Sequence, residues 1–434
     1  MDANDPASLS VVEAARRIAE GTLSPTALLE ACLERISARD ETVRAWVAVD
    51  ETGARATARE RTEEARAGRP RGPLHGIPVA IKDIFHVAGT TTTCGAAPAF
   101  HTTATADAAA VARLRAAGAI VLGKAHTTEF AYFEPGPTRN PWNPAHTPGG
   151  SSSGSAAAVA ARMVPLALGT QTVGSVLRPA AYCGVVGFKG TYDLIPTDGV
   201  VPLAWSFDHV GIFARRVADV ALALDVLAAR APGVSAIRPP RLAVAPELLE
   251  RATPEVAALI RATAERFVRA GARVSEVTLP ASFADVHAAG RSVLEVEAAA
   301  YHEELYRVHA AQYRPRTREL IAAGLSRPAV AYARAQRARL AFRRDVMPLL
   351  AAHDALLSPT APSPAPEGLA TGDPWFCAPW SFAGVPAISL PIGVSPLGLP
   401  HAIQLVGAID EDAAILAVAA WCERVVDFEL SPSR

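Results

Sequence analysis

A single α/β domain, with a mixed β-sheet sandwiched by α-helices, is the fold the sequence predicts, on three observations. From residue 74 onward, short β-like runs alternate with helical stretches and glycine-rich turns, the texture of a sheet wound with helices. Strand-like runs return late, at 387–392 and 403–407, so that both halves of the chain feed one sheet. No internal repeat divides the 434 residues.

Taken in order, residues 1–70 read as a helical lead-in. Ser10 followed by Glu13 is a capping box, and Ser24-Pro25 supplies a cap and a first-turn proline before A-L-L-E-A-C-L-E-R-I. The stretch 74–230 is the core: strands are predicted at 77–81 and 119–122, an apolar helix at 156–163 and another helix at 217–229. Residues 230–240 form a proline-containing connector. The next stretch, 241–357, reads as a mostly helical, arginine-rich cover with strands only at 242–245 and 274–279. A proline-rich loop at 357–368 leads into the closing strands and a last helix from about Asp412, within a return to the core over 358–430.

Composition excludes several functions. A net charge of -1 and a pI near 6.8 provide no basic field, so the sequence predicts a small-molecule ligand and no nucleic acid. Arg162, Asp219 and Asp225 interrupt the longest apolar runs, which predicts no membrane span. The acidic N-terminus is unlike a secretory signal, and five scattered cysteines without a C-x-x-C pair suit a reducing, cytoplasmic setting with no disulfide framework and no zinc site. Eleven histidines show no metal spacing, so no metal or organic cofactor is predicted. Arginine serves as the cation almost everywhere, and the only lysines are Lys82, Lys124 and Lys189. An arginine cannot be deprotonated in a protein whereas a buried lysine can, so Lys82 is read as kept for its chemistry. Lys124 and Lys189 are read as leftovers of a compositional bias.

Two glycine-flanked serine loops carry the candidate chemistry, G-G-S-S-S-G-S at 149–155 and G-T-Q-T-V-G-S at 169–175. Glycine lets backbone N–H groups approach a substrate closely, which is how an oxyanion hole is built. Gly150 to Gly154 also fits the G-x-S-x-G nucleophile elbow around Ser152. That motif needs a strand directly before it, and Pro141, Pro144 and Pro148 exclude one.

G-I-P-V-A-I-K-D at 76–83, P-G-G-S-S-S-G-S-A-A-A-V-A-A at 148–161 and L-A-L-G-T-Q-T-V-G-S-V-L-R-P-A-A-Y-C-G-V-V-G-F-K at 166–189 together resemble the signature blocks of the amidase signature family. T-R-N-P-W-N-P, P-T-A-P-x-P-A-P, G-V-P-A-I-S-L-P and Q-L-V-G extend the similarity over most of the chain. The resemblance implies the family fold and cofactor-free hydrolysis of an acyl C–N bond. By position it makes Ser175 the nucleophile, Ser151 a serine that follows a cis peptide bond, and Lys82 the base. The backbone N–H groups of Thr172, Val173 and Gly174 would form the oxyanion hole, and Thr127, in H-T-T-E-F-A, would border the substrate. Asp83 reads as an anchoring acceptor beside the base.

The sequence departs from the family's commonest pattern at Gln171 (usually Asp), Val173 (usually small), Ser153 (usually Gly), Gly190 (usually Pro) and Leu177 with Arg178, where the usual arginine is displaced by one residue. These departures, and a short chain, tell against a role in the glutaminyl-tRNA amidotransferase complex. Resemblance to a bacterial branch of general amidases, with Val173 and Leu177 beside the nucleophile, implies a neutral, largely apolar amide or carbamate (urethane) as substrate. The competing readings are an esterase using the same residues and a non-catalytic assembly or binding subunit.

Overall fold

Ser10 and Ser24 open the first two helices by the mechanism their side chains predict: each hydroxyl accepts the N–H three residues on, from Glu13 and Ala27 at 3.1 Å. These helices are α1 (Val11–Ala19) and α2 (Pro25–Val43), in a computed structural model that describes residues 5–229, 236–428 and 432. Residues 1–4 of the lead-in and 230–235 of the expected connector lie outside the described residues.

The lead-in is not wholly helical. After α2 the chain forms β1 (Trp46–Val49) and then α3 (Glu51–Arg66). Four residues with alternating burial at a sheet edge carry too little pattern to be read as a strand. The elements that follow are β2 (Pro78–Lys82), a small hairpin of β3 (Thr91–Thr92) and β4 (Thr102–Thr103), α4 (Ala109–Ala116) and β5 (Ile120–Ala125). Next come α5 (Ser153–Ala160), β6 (Leu166–Gln171), α6 (Leu177–Cys183), β7 (Val186–Lys189), β8 (His209–Ala214) and α7 (Val217–Leu227). The cover comprises β9 (Arg241–Val244), α8 (Pro246–Leu249), α9 (Pro254–Arg269), β10 (Arg273–Glu276), α10 (Val286–His309), α11 (Pro315–Leu325) and α12 (Ala329–Ala351). The chain closes with β11 (Ala355–Pro359), α13 (Ala378–Ala383), β12 (Ala387–Val394), β13 (Pro400–Val406) and α14 (Asp412–Val426).

Among the described residues, eleven strands form one sheet in the order β1-β5-β2-β6-β8-β7-β12-β13-β11-β9-β10. It is mixed: β5, β2 and β6 run parallel, as do β11, β9 and β10, and the pairings between these groups are antiparallel. Every residue of β2, β6, β7, β8 and β13 is buried, as a sheet covered on both faces requires. Helices α5 and α6 pack together on the sheet, as do α7 and α14, and α10 packs on α11, α12 and α13.

The buried apolar helix starts earlier than its composition indicates, at Ser153, and stops at Ala160 because Arg162 adopts a left-handed φ of 60° that turns the chain into β6. The site depends on one feature above all. Since β2 and β6 are parallel neighbours, their C-terminal ends meet at one edge of the sheet, where open α/β folds bind ligands.

Candidate active site

Lys82 is the last residue of β2 and is fully buried. The pairing of Ile81 with Leu168 brings its side chain alongside the end of β6, where Nζ donates to Thr170 Oγ1 at 2.7 Å and to Ser151 Oγ at 2.7 Å. Burial drives its pKa well below the usual lysine value, against the opposing pull of Asp208 and Cys94. Both hydrogen-bond partners are neutral hydroxyls, so the contacts are equally open to a neutral amine, which can take up a proton.

Asp83 turns away from Lys82 and pairs with Lys124 at 2.8 Å, while its other oxygen accepts from the N–H of Thr93 at 3.1 Å and from the Thr93 hydroxyl. Lys124 also donates to the carbonyl of Phe85. Lys189 is buried between the carbonyls of Gly190 and Val385, and burial lowers its pKa to about 7. Neither lysine is a compositional leftover: each closes a buried polar knot.

The first serine loop is stitched in place by its hydroxyls. The Gly150–Ser151 peptide bond is cis. Ser152 Oγ donates to the carbonyl of Thr170 (3.1 Å) and accepts its N–H (3.2 Å), Ser153 Oγ reaches the carbonyl of His126 (3.4 Å), and Ser155 Oγ donates to that of Leu168 (2.8 Å). Ser152, centre of the elbow look-alike, is thus a rivet between the loop and β6. Two glycines admit this closeness, since a Cβ on Gly154 would lie 2.3 Å from the carbonyl oxygen of Ala45 and one on Gly169 2.6 Å from Ser152 Oγ.

The second loop is held differently. Gln171 ends β6, and its side-chain oxygen accepts the N–H groups of Val176 and Leu177, both at 3.0 Å, at the start of α6 while its NH2 donates to Ser381 Oγ. Thr172 Oγ1 donates to Asp208 Oδ1 at 2.6 Å. Between these anchors, the N–H groups of Val173, Gly174 and Ser175 make no intramolecular hydrogen bond among the described residues. Ser175 is 4% exposed, and its carbonyl accepts the N–H of Ser152 at 3.4 Å, which sets the two serine loops side by side. No hydrogen bond joins the hydroxyls of Ser151 and Ser175 among the described residues.

Leu177, expected beside the nucleophile, is fully buried in the main core. Thr127 lines an open depression of about 490 Å³ with His101, His126 and Arg314, and its neighbour Thr128 donates its N–H to the carbonyl of Ser151 at 3.2 Å. Thr170, Gln171, Asp208 and Arg178 belong to the site although the sequence did not single them out as participants. Arg178 is fully buried and donates from Nη2 to the carbonyl of Gly150 at 2.7 Å, while its Nε and Nη1 have no partner among the described residues. The signal available for it was the family arginine shifted by one position. Among the described residues no cluster of His, Cys, Asp and Glu could hold a metal ion, and no helix is long and apolar enough to cross a membrane.

Residues 27–416 match the model of the family described as Amidase. The chain is 37% identical over 475 residues to a glutamyl-tRNA(Gln) amidotransferase subunit of Roseiflexus castenholzii, covering 97% of this chain and 96% of that one. It is 35% identical over 451 residues to an amidase of Pseudomonas putida, covering 95% of each. A crystal structure of an amidase superposes with a TM-score of 0.91 at 36% identity, covering 96% of this chain and 99% of that one.

These relatives correct the expectation that nucleic acid has no place among the partners. Proteins named for an amidotransferase of glutamyl-tRNA are similar to this chain along almost its whole length. The family match runs through Lys82 and both serine loops, and the chain belongs to the amidase family of hydrolases acting on carbon–nitrogen bonds.

Proposed function

We propose that the chain cleaves an acyl C–N bond with Ser175 as nucleophile, Ser151 as proton relay and Lys82 as base. The observation that carries this reading is the contact of a buried, neutral-leaning Lys82 with Ser151, at 2.7 Å, beside a loop of unpaired backbone N–H groups. A serine hydroxyl is a weak nucleophile until a neighbour takes its proton, and no histidine lies in either serine loop to do so.

In the reaction the Ser175 proton passes to Ser151 Oγ as the Ser151 proton passes to Lys82 Nζ, and Ser175 Oγ bonds to the substrate carbonyl carbon. Main-chain N–H groups of Thr172, Val173 and Gly174 receive the oxyanion. Collapse breaks the C–N bond while Ser151 protonates the leaving nitrogen and regains a proton from Lys82. Water then releases the acyl group by the same relay. The contact between the two hydroxyls forms when substrate seats Ser175, in the way catalytic hydrogen bonds tighten on binding.

The substrate carbonyl is that of a neutral amide or a carbamate, with Val173, half-buried at the loop, as an apolar wall. A second reading, in which the acyl group carries a carboxylate, is favoured by the two unpartnered nitrogens of the buried Arg178. Hydrolysis of an acyl anilide, a matched N-aryl carbamate, free glutamine and a malonamate-type acid amide separates these. Anilide or carbamate turnover supports the neutral reading, and preference for the acid amide replaces it with the second. Preference for glutamine points to the amide-nitrogen transfer for which the tRNA-linked relatives are named.

A further inference from the structure

We infer that Asp208 is a positioning residue of this site: its carboxylate holds the oxyanion loop through Thr172, and its charge sets the pH at which Lys82 becomes a base. The inference rests on the proposed role of Lys82.

The placement follows from strand register. His209 at the start of β8 pairs with Gln171 at the end of β6, so Asp208 and Thr172 face each other one step beyond the ladder. Asp208 Oδ1 accepts from Thr172 Oγ1 at 2.6 Å, and Oδ2 accepts the N–H groups of Leu203 and Ala204 at 2.8 and 3.1 Å. Asp208, Thr172 and Thr170 line one small cavity of about 10 Å³, and Thr170 is the second acceptor for Lys82 Nζ. The carboxylate therefore lines this space, and the amine reaches its wall through the Thr170 hydroxyl.

A loop tie alone does not need a carboxylate. Asparagine in the same place could accept from Leu203 and Ala204 with its oxygen and donate to Thr172 with its NH2, without the cost of burying a charge. Burial in fact raises the Asp208 pKa to about 6, against the pull of its three hydrogen bonds, and leaves it ionised above that pH. An anion there favours protonated Lys82 and so opposes the effect of burial on the amine. The other titratable groups around the pair are Cys94 and the paired Asp83 and Lys124 on the Lys82 side, and Glu297, Tyr192 and Arg339 on the Asp208 side. Glu297 also holds the intervening loop, accepting from the N–H of Ser206 at 2.9 Å and from its hydroxyl, so the loop that presents Asp208 is anchored to the cover.

The test is the rate of fluorophosphonate labelling of Ser175 as a function of pH, together with the 15Nζ signals of the chain's three lysines. Asp208→Asn is expected to move the acidic limb of the labelling profile, and the Lys82 titration, to lower pH by about half a unit or more. Asp208→Glu should return both towards the wild-type position. Thr172→Val, which keeps the charge but cuts the tie, should slow labelling about tenfold with the limb in place. An unmoved limb in Asp208→Asn overturns the role of the charge, and an unchanged rate in Thr172→Val overturns the loop tie. If Asp208→Asn does not fold, the wild-type protein decides: the Lys82 signal should show a second inflection near pH 6 as Asp208 ionises, and a single inflection overturns the coupling. A wild-type labelling profile that is flat from pH 6 to 9 removes the Lys82 reading itself, whereas a sloping wild-type profile with an unmoved Asp208→Asn removes only this inference.

Discussion

The two serine loops look alike in sequence and are built for opposite ends. In the first, 149–155, the hydroxyls of Ser152, Ser153 and Ser155 are all spent on neighbouring backbone, and only Ser151 is turned towards Lys82. In the second, 169–175, the side chains of Gln171 and Thr172 secure the flanks while the backbone N–H groups of 173–175 are left without partners among the described residues. One loop is a fastener with a single hydroxyl left to meet Lys82. The other is a rigid frame around unsatisfied donors, the arrangement that receives a developing negative charge. Glycine-flanked serines are therefore not a functional signal in themselves; what matters is where each hydroxyl and N–H is committed.

The largest effect should come from the working hydroxyl of the second loop. Ser175→Ala is expected to lower turnover by about four orders of magnitude or more with the fold unchanged, measured as kcat beside a thermal melt. Ser152→Ala, in the first loop, should leave kcat within about tenfold, because its hydroxyl serves Thr170. Equal loss in both would erase the distinction between the loops. Next comes the base: Lys82→Ala should cost about 10³-fold, and Lys82→Arg should rescue none of it, because a guanidinium does not accept the proton. With wild type, kcat/KM should rise with pH as Lys82 loses its proton and then level off. The sign follows from the proposed role of Lys82 as base, which needs the neutral amine, and burial favours that form at lower pH than for an exposed lysine.

Smaller effects sharpen the contrast in stability. Gln171→Ala strips the acceptor from two N–H groups at the start of α6 and should destabilise by about 2 to 4 kcal/mol, with a fall in kcat as the donor frame loosens. Ser152→Ala leaves the carbonyl and N–H of Thr170 without that partner and should cost about 1 to 3 kcal/mol in urea unfolding. A Gln171→Ala protein as stable and as active as wild type would show that the second loop needs no such frame.

How much of this was legible in the sequence depends on the range of the interaction. The mixed sheet, the helix caps at Ser10 and Ser24, and the prominence of Lys82 in an arginine-dominated chain are local or compositional, and the structure has the sheet and the caps as expected. The strand β6 was hidden because both its faces are buried, which removes the alternation that marks a strand, and because Gly169 and Thr170 dilute its apolar character. Thr170 and Asp208 were illegible because their places depend on the register of β6 against β2 and β8. The full burial of Leu177 was not legible because nearness in sequence to Ser175 does not say which side of a helix turns inward, and in α6 that residue packs in the core. The partner reading failed for a different reason: net charge is an average over the whole chain and does not report what a local surface or an assembled complex meets.

The central claim is that Lys82, acting through Ser151, activates Ser175. It is tested most directly by treating the wild-type protein and Lys82→Arg with a fluorophosphonate and mapping the modified residue by mass spectrometry. The account predicts labelling of wild type at Ser175 alone, faster as pH rises from 6 to 9, and loss of that labelling in a folded Lys82→Arg protein. Labelling at Ser152 in place of Ser175, or labelling of Lys82→Arg at the wild-type rate, would contradict it.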